Sequence, residues 1–300
     1  MKHPIRITII FVLLFVTSQL LGLIVLSQGV SEISYENNQT QIGFEDTAAG
    51  ERPNMSGLAT LVYIVIGVSI GTLILLYFAR TQRVRWWKAW FFVAVWMSIS
   101  ITLGVFIQAW LAWLIGFFAA ALKLWKNNPW THNITELLIY PGLAFFIVPI
   151  LDMVSVFILL IAVSAYDAYA VWKSKHMVEM AEFTTSTNVF PGLNINYSDG
   201  QDEPVRDEPS DTKEGSHSGV LGGGDIAVPM LFTGTTFTML VEKGFTIPSA
   251  LSWSSIIVAS SALSLALLFY YSKKKTFYPA MPFLSAGCFF GYIIVRLFIG

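Results

Sequence analysis

Two stretches decide how this chain is read: Ile150–Trp172, ILDMVSVFILLIAVSAYDAYAVW, and Val220–Leu240, VLGGGDIAVPMLFTGTTFTML. Each has the roughly 20 apolar residues that a bilayer crossing needs, and each carries an aspartate within its apolar run, Asp167 and Asp225. A carboxylate at the centre of a membrane helix costs roughly 2.5–3.5 kcal/mol on insertion scales, so such residues are kept where a function needs them. Asp167 precedes Lys173 by six residues, which at about 1.5 Å per residue puts it some 9 Å from one end of its span. Asp225 lies about five residues into a span that starts from the same side and runs the other way. Antiparallel neighbours pack about 8–10 Å apart, so the two carboxyl groups are expected to meet across one water.

The rest of the composition supports a membrane setting. Hydrophobic residues make up 55% of the chain and charged residues only 12%, against about 25% charged in a soluble domain. Net charge is −1, which leaves no electrostatic footprint for nucleic acid. Cys288 is the only cysteine and the four histidines fall at span ends or in loops, so no metal site and no cofactor is expected.

By length, the chain divides into nine spans. Five are self-evident: Ile7–Leu26, Leu58–Phe78, Val220–Leu240, Ile247–Tyr271 and Tyr278–Phe298. The first is read as a retained span because its apolar core is longer than that of a signal peptide. Trp86–Trp125 and Ile134–Trp172 are each twice the length of one crossing and must turn back once, near Gly104–Gln108 and near Pro149–Asp152. With the N-terminus inside, 15 of the 18 Lys and Arg residues fall on the inner side, leaving only Arg52, Lys243 and Arg296 elsewhere. The positive-inside rule thus gives a cytoplasmic N-terminus and an external C-terminus for a multi-pass protein of the cell membrane. The expected fold is all-α and polytopic: a six-helix part over 1–173, a cytoplasmic loop over 174–219 and a three-helix part over 220–300.

Within the loop, Lys175–Phe183 has apolar residues at three-residue spacing and is read as an interfacial helix. Leu193–Tyr197 alternates apolar and polar residues as a short strand. Ser198–Gly219 is rich in Asp, Glu, Ser, Gly and Pro and reads as disordered. Glu136 and Asp152, near span ends, are expected at the interfaces.

Two carboxylates a few ångströms apart share a proton, so that one acts as base on a water while the other is acid to a scissile carbonyl. That is aspartyl protease chemistry. Gly222, Gly223 and Gly224 strip side chains from the approach to Asp225, which lets an extended peptide come close. A substrate helix must unwind to be cut, and its freed N–H and C=O groups need partners. The strand over Leu193 and Ile195, and the backbone of Pro279, Ala280 and Met281, are the expected edges. The competing reading is a proton- or cation-coupled transporter built on the same carboxylate pair.

Tyr166-Asp167, Gly222-Gly223-Gly224-Asp225 and Pro279-Ala280-Met281-Pro282, in this order on spans six, seven and nine, resemble the YD, GxGD and PAL motifs of the presenilin and signal peptide peptidase family of intramembrane aspartyl proteases. Nine spans and a long loop between the sixth and seventh match the same plan. The resemblance implies that Asp167 and Asp225 are catalytic, that Gly222 and Gly224 shape the pocket, that Pro279–Met281 line it, and that Tyr166 hydrogen-bonds beside the first aspartate. Met281 stands where the family motif has leucine, a nearly volume-conserving change. The orientation is that of the presenilin branch, whose substrates are single transmembrane helices with the N-terminus outside. The compact length resembles microbial, archaeal homologues, which implies action without accessory subunits and leaves an oligomer open.

Overall fold

The structure, a computed structural model, describes residues 4–36, 39–55, 57–126, 128–173, 190–198, 201–204, 216–272 and 278–299. Among these are nine α-helices: α1 Ile5–Gln28, α2 Leu58–Thr81, α3 Val84–Gly104, α4 Ala109–Trp125, α5 Pro129–Ile147, α6 Met153–Trp172, α7 Gly223–Glu242, α8 Ile247–Tyr271 and α9 Met281–Ile299. Eight are long and apolar enough to cross a membrane, and α4, at 17 residues, is a shorter apolar helix.

Both turn-backs fall where the sequence puts them. The α3–α4 turn occupies the residues between Gly104 and Ala109. After α5, Val148–Ile150 tightens into a 3₁₀ turn around Pro149, and exposed Asp152 caps α6 by accepting the Ser155 N–H at 2.8 Å. Successive helices alternate in direction, so one end of the bundle carries a small hairpin and the other a small sheet.

At the hairpin end, β1 (Val30–Glu36) pairs antiparallel with β2 (Gln39–Phe44). The chain beyond it is fastened by Arg52, which donates from Nε and Nη2 to the Phe145 carbonyl at 3.2 and 3.1 Å and from Nη1 to the Glu45 carbonyl at 2.6 Å. Its guanidinium also lies 4.5 Å from the Phe145 ring centroid. Burial there lowers the Arg52 pKa, partly offset by Asp46.

At the sheet end, β3 (Gly192–Ser198) lies between β4 (Gln201–Pro204) and β5 (Ser216–Gly222), all antiparallel. The strand expected over Leu193–Tyr197 is present. Of the stretch 198–219 expected to be disordered, 201–204 and 216–219 are corrected to strand, where pairing on the two sides of β3 supplies ladder bonds that composition does not reveal, and 199–200 and 205–215 lie outside the described residues. Val220–Gly222, read as the start of span seven, is strand, and the helix begins at Gly223. The Lys175–Phe183 helix lies outside the described residues.

α7 is the hub: 72% of its apolar window is buried, against 6% for α2. Around it α1, α5, α6, α8 and α9 form one core, in which the Phe157 and Phe232 rings meet each other and each meets Phe289 and Tyr292. Small residues set the close crossings. Gly287 and Gly291 of α9 press on Ser260, Ser261 and Ser264 of α8, where an added Cβ would come within 2.2–2.9 Å of those residues. α2 leans lightly on α3 and α6.

Candidate active site

Asp167 sits in the last turn and a half of α6, partly buried. Its carboxylate is met by the start of α9: the Met281 N–H donates to Oδ2 at 3.1 Å and the Ala280 N–H donates as well. These are N–H groups that a helix start leaves without intrahelical partners, and they favour an anion in front of them. Pro279 and Pro282 flank them without competing donors of their own. One turn deeper, Ser164 and Ser285 hydroxyls meet at 2.7 Å and fix α6 against α9. The motif over Pro279–Met281 therefore approaches Asp167 through its backbone, which explains why Met281, itself buried, stands without altering that contact.

Asp225 is the third residue of α7, in its first turn, and accepts a hydrogen bond from the Gly222 N–H. It lies close enough to Asp167 for their charges to act on each other. α6 and α7 pack directly, which brings together the two elements that carry the aspartates. Pro229, one turn on in α7, has no N–H for the Asp225 carbonyl. The next carbonyl, of Ile226, accepts from buried Gln19 Nε2 of α1 at 2.8 Å.

The three glycines before Asp225 differ. A Cβ on Gly222 would lie 3.2 Å from Asp225 Oδ2, and one on Gly223 would lie 2.8 Å from the Tyr140 hydroxyl. A Cβ on Gly224 meets nothing within 4 Å, so open space lies beside the aspartate. Tyr166 is placed otherwise than expected: it is 57% exposed and makes no hydrogen bond among the described residues. Neighbours on a helix diverge by about 100°, so a helix that turns Asp167 inward turns Tyr166 out.

Leu193 and Ile195 also differ from expectation. Both are buried, 0% and 5% exposed, in the central strand. The Asn194 N–H and C=O are held by the Asn133 side chain at 3.0 and 2.8 Å, and those of Gly192 by Glu136 and His132 at 3.1 and 2.8 Å. Bonding direction alternates along a strand, so Leu193 and Ile195 bond to Leu221 and Gly219 of β5. Neither edge of β3 is free there, and among the described residues the outer edge of β5, at half-exposed Val220, pairs with no strand.

Glu136, expected at an interface, is 1% exposed and ion-paired with Lys123 of α4 at 2.6 Å. Sequence reasoning missed this network, together with Gln19. The usable signal was a lysine and a glutamate on consecutive spans, both near the turn that joins them. Among the described residues no cluster of His, Cys, Asp and Glu could hold a metal.

Residues 12–300 match the family described as signal-peptide peptidase, presenilin aspartyl protease. No curated protein matches the chain. Two solved structures of a presenilin family intramembrane aspartate protease share the fold: a C222 crystal form at TM-score 0.60 and 17% identity over 94% of each chain, and a P2 form at TM-score 0.62 and 19% identity over 96% of each. The transporter alternative gains nothing from these likenesses. A family match over nearly the whole chain, on an all-α membrane fold of the same architecture, makes this protein a member of the signal-peptide peptidase and presenilin family, an intramembrane aspartic endopeptidase.

Proposed function

We propose that Asp167 and Asp225 are the catalytic pair of this protease, working on a single transmembrane helix admitted beside α2. The carrying observation is that two partly buried carboxylates on packed helices interact, one anchored by the N–H groups of Ala280 and Met281 and the other by that of Gly222, with open space at Gly224. Sharing one proton, the ionised member takes a proton from water as its oxygen attacks the scissile carbonyl, and the protonated member gives its proton to the carbonyl oxygen. Collapse of the tetrahedral species then returns a proton to the leaving nitrogen and breaks the C–N bond. The pair titrates as a unit, and neither aspartate is assigned a fixed role.

Admission beside α2 is supported by its slight burial and by a cavity of about 350 Å³ between α2, α3 and α5, lined by Val68, Gly71, Trp87, Phe91 and Tyr140. The unwound substrate is taken to add to the outer edge of β5 in place of the edge at Leu193 and Ile195, because the N–H groups at Ala280 and Met281, also expected as an edge, are turned to Asp167. Lys and Arg asymmetry supports a cytoplasmic sheet end, an external C-terminus and substrates with the N-terminus outside. The division into 1–173, 174–219 and 220–300 is kept as a functional one, with the second part carrying the sheet. Cleavage is expected from the chain alone in the bilayer, without accessory subunits.

The test is proteoliposome cleavage of a transmembrane peptide. Asp167→Asn and Asp225→Asn are each expected to lower the rate by at least ~10³-fold with the folded yield unchanged, because the residues of a catalytic unit fail together. A rate within tenfold of the unsubstituted protein in either variant overturns the assignment.

A further inference from the structure

Glu136 gathers donors from three elements. Its Oε1 accepts from Lys123 Nζ of α4 at 2.6 Å, and its Oε2 accepts from the Tyr140 hydroxyl, one turn along α5, and from the Gly192 N–H of β3 at 3.1 Å. Lys123 also donates to Thr135 Oγ1 at 3.3 Å and to His132 Nδ1 at 3.2 Å. His132 Nδ1 then accepts, so Nε2 carries the proton and donates to the Gly192 carbonyl at 2.8 Å. Both backbone groups of Gly192 are thus gripped by α5, and Asn133 grips Asn194 in the same two-point way. The first turns of α5 take the place of a neighbouring strand along β3.

What β3 then holds is β5, paired from Gly192↔Gly222 to Ser198↔Ser216, and β5 runs directly into Gly223, Gly224 and Asp225. The Gly223 N–H bonds back to the Pro191 carbonyl at 3.2 Å, and Tyr140 packs so close to Gly223 that a Cβ there would lie 2.8 Å from its hydroxyl. Two routes therefore lead from Glu136 to the backbone before Asp225: through Gly192 and the strand ladder, and through Tyr140.

We infer that Glu136, with Lys123 and Tyr140, is a positioning unit that sets Asp225 against Asp167 and holds β5 in register for the substrate. The inference rests on the proposed role of the two aspartates. A buried ion pair is a poor device for stability, since apolar replacements of similar volume are often as stable, whereas catalytic groups need placement within about 0.5 Å. None of the three residues touches the reacting atoms. Their loss should act on the chemical step rather than on holding the substrate.

The experiment uses the full chain in proteoliposomes with a transmembrane peptide, measuring kcat, KM, thermal stability and affinity for a peptide carrying a hydroxyl isostere of the tetrahedral species. Glu136→Gln replaces one acceptor oxygen by a donor, so either Lys123 or the Tyr140–Gly192 pair faces a donor. Tyr140→Phe removes one route alone. Lys123→Met with Glu136→Leu deletes the pair with little change of volume, and its melting temperature reports whether the fold is kept. Each is expected to lower kcat about 10- to 100-fold, to leave KM within threefold, and to weaken isostere binding in proportion to kcat. A kcat per isostere-titrated site within threefold of the unsubstituted protein in Glu136→Gln and in the double variant overturns the inference, since the unit is then only scaffolding. Asp225→Asn, assayed alongside, separates the two readings: if it still cleaves, the proposed pair itself fails whatever the Glu136 variants do.

Discussion

Gly222, Gly223 and Gly224 are identical in sequence and differ in what stands over them. The first two are hemmed by Asp225 and Tyr140, while the third faces open space. Gly224→Ala, in the first turn of α7, should fold with unchanged or raised thermal stability, because alanine is the better helix former by about 1 kcal/mol. Its methyl group nevertheless occupies the approach to Asp225, so cleavage should fall about tenfold or more. Equal cleavage rates would show that the substrate passes elsewhere. Gly192→Ala should behave oppositely. Gly192 has φ +145° and its Cβ would lie 2.4 Å from the Leu221 carbonyl oxygen, so melting should reveal a loss of about 1–3 kcal/mol. The glycine run itself was legible in the sequence. Which glycine faces open space was not, because that depends on Tyr140, some 80 positions away.

At the scale of elements, the small sheet leads directly into the helix that carries Asp225. Two prolines distinguish its edges. Val220 sits on β5 with its N–H on the outer side, away from β3, so Val220→Pro removes only an edge donor. Cleavage of the transmembrane peptide should drop with little change in melting temperature. Ile195 bonds inward to Gly219 in the central strand, so Ile195→Pro breaks a ladder bond in a buried position and should lower stability by about 1–3 kcal/mol. Matching stabilities for the two variants would refute this assignment of edges. Alternation in Leu193–Tyr197 made the strand visible, yet a single strand's pattern does not say what lies on either side. That was decided by Asn133, His132 and Glu136, which the sequence leaves on a different helix.

For the whole molecule, alternating helices put Arg80, Arg83, Arg85, Lys88, Lys123 and Lys126 at the sheet end and the acidic β1–β2 segment at the hairpin end. Because the only cysteine, Cys288, is buried, single cysteines at exposed positions give a clean report. Thr81→Cys and Lys126→Cys should react with an impermeant thiol reagent from the cytoplasmic side only, and Ser31→Cys from outside only. Labelling of Thr81→Cys and Ser31→Cys from the same side would overturn the orientation. By itself the sequence determined the spans, both turn-backs, the separation of charge and the two aspartates, because transfer from water to hydrocarbon is a property of each segment taken alone. The tertiary structure decided that Asp167 is held by α9 backbone, that Tyr166 turns away, and that Glu136 and Lys123 meet deep inside. Those outcomes depend on which helix faces which across large separations in sequence, and hydropathy carries no record of a partner.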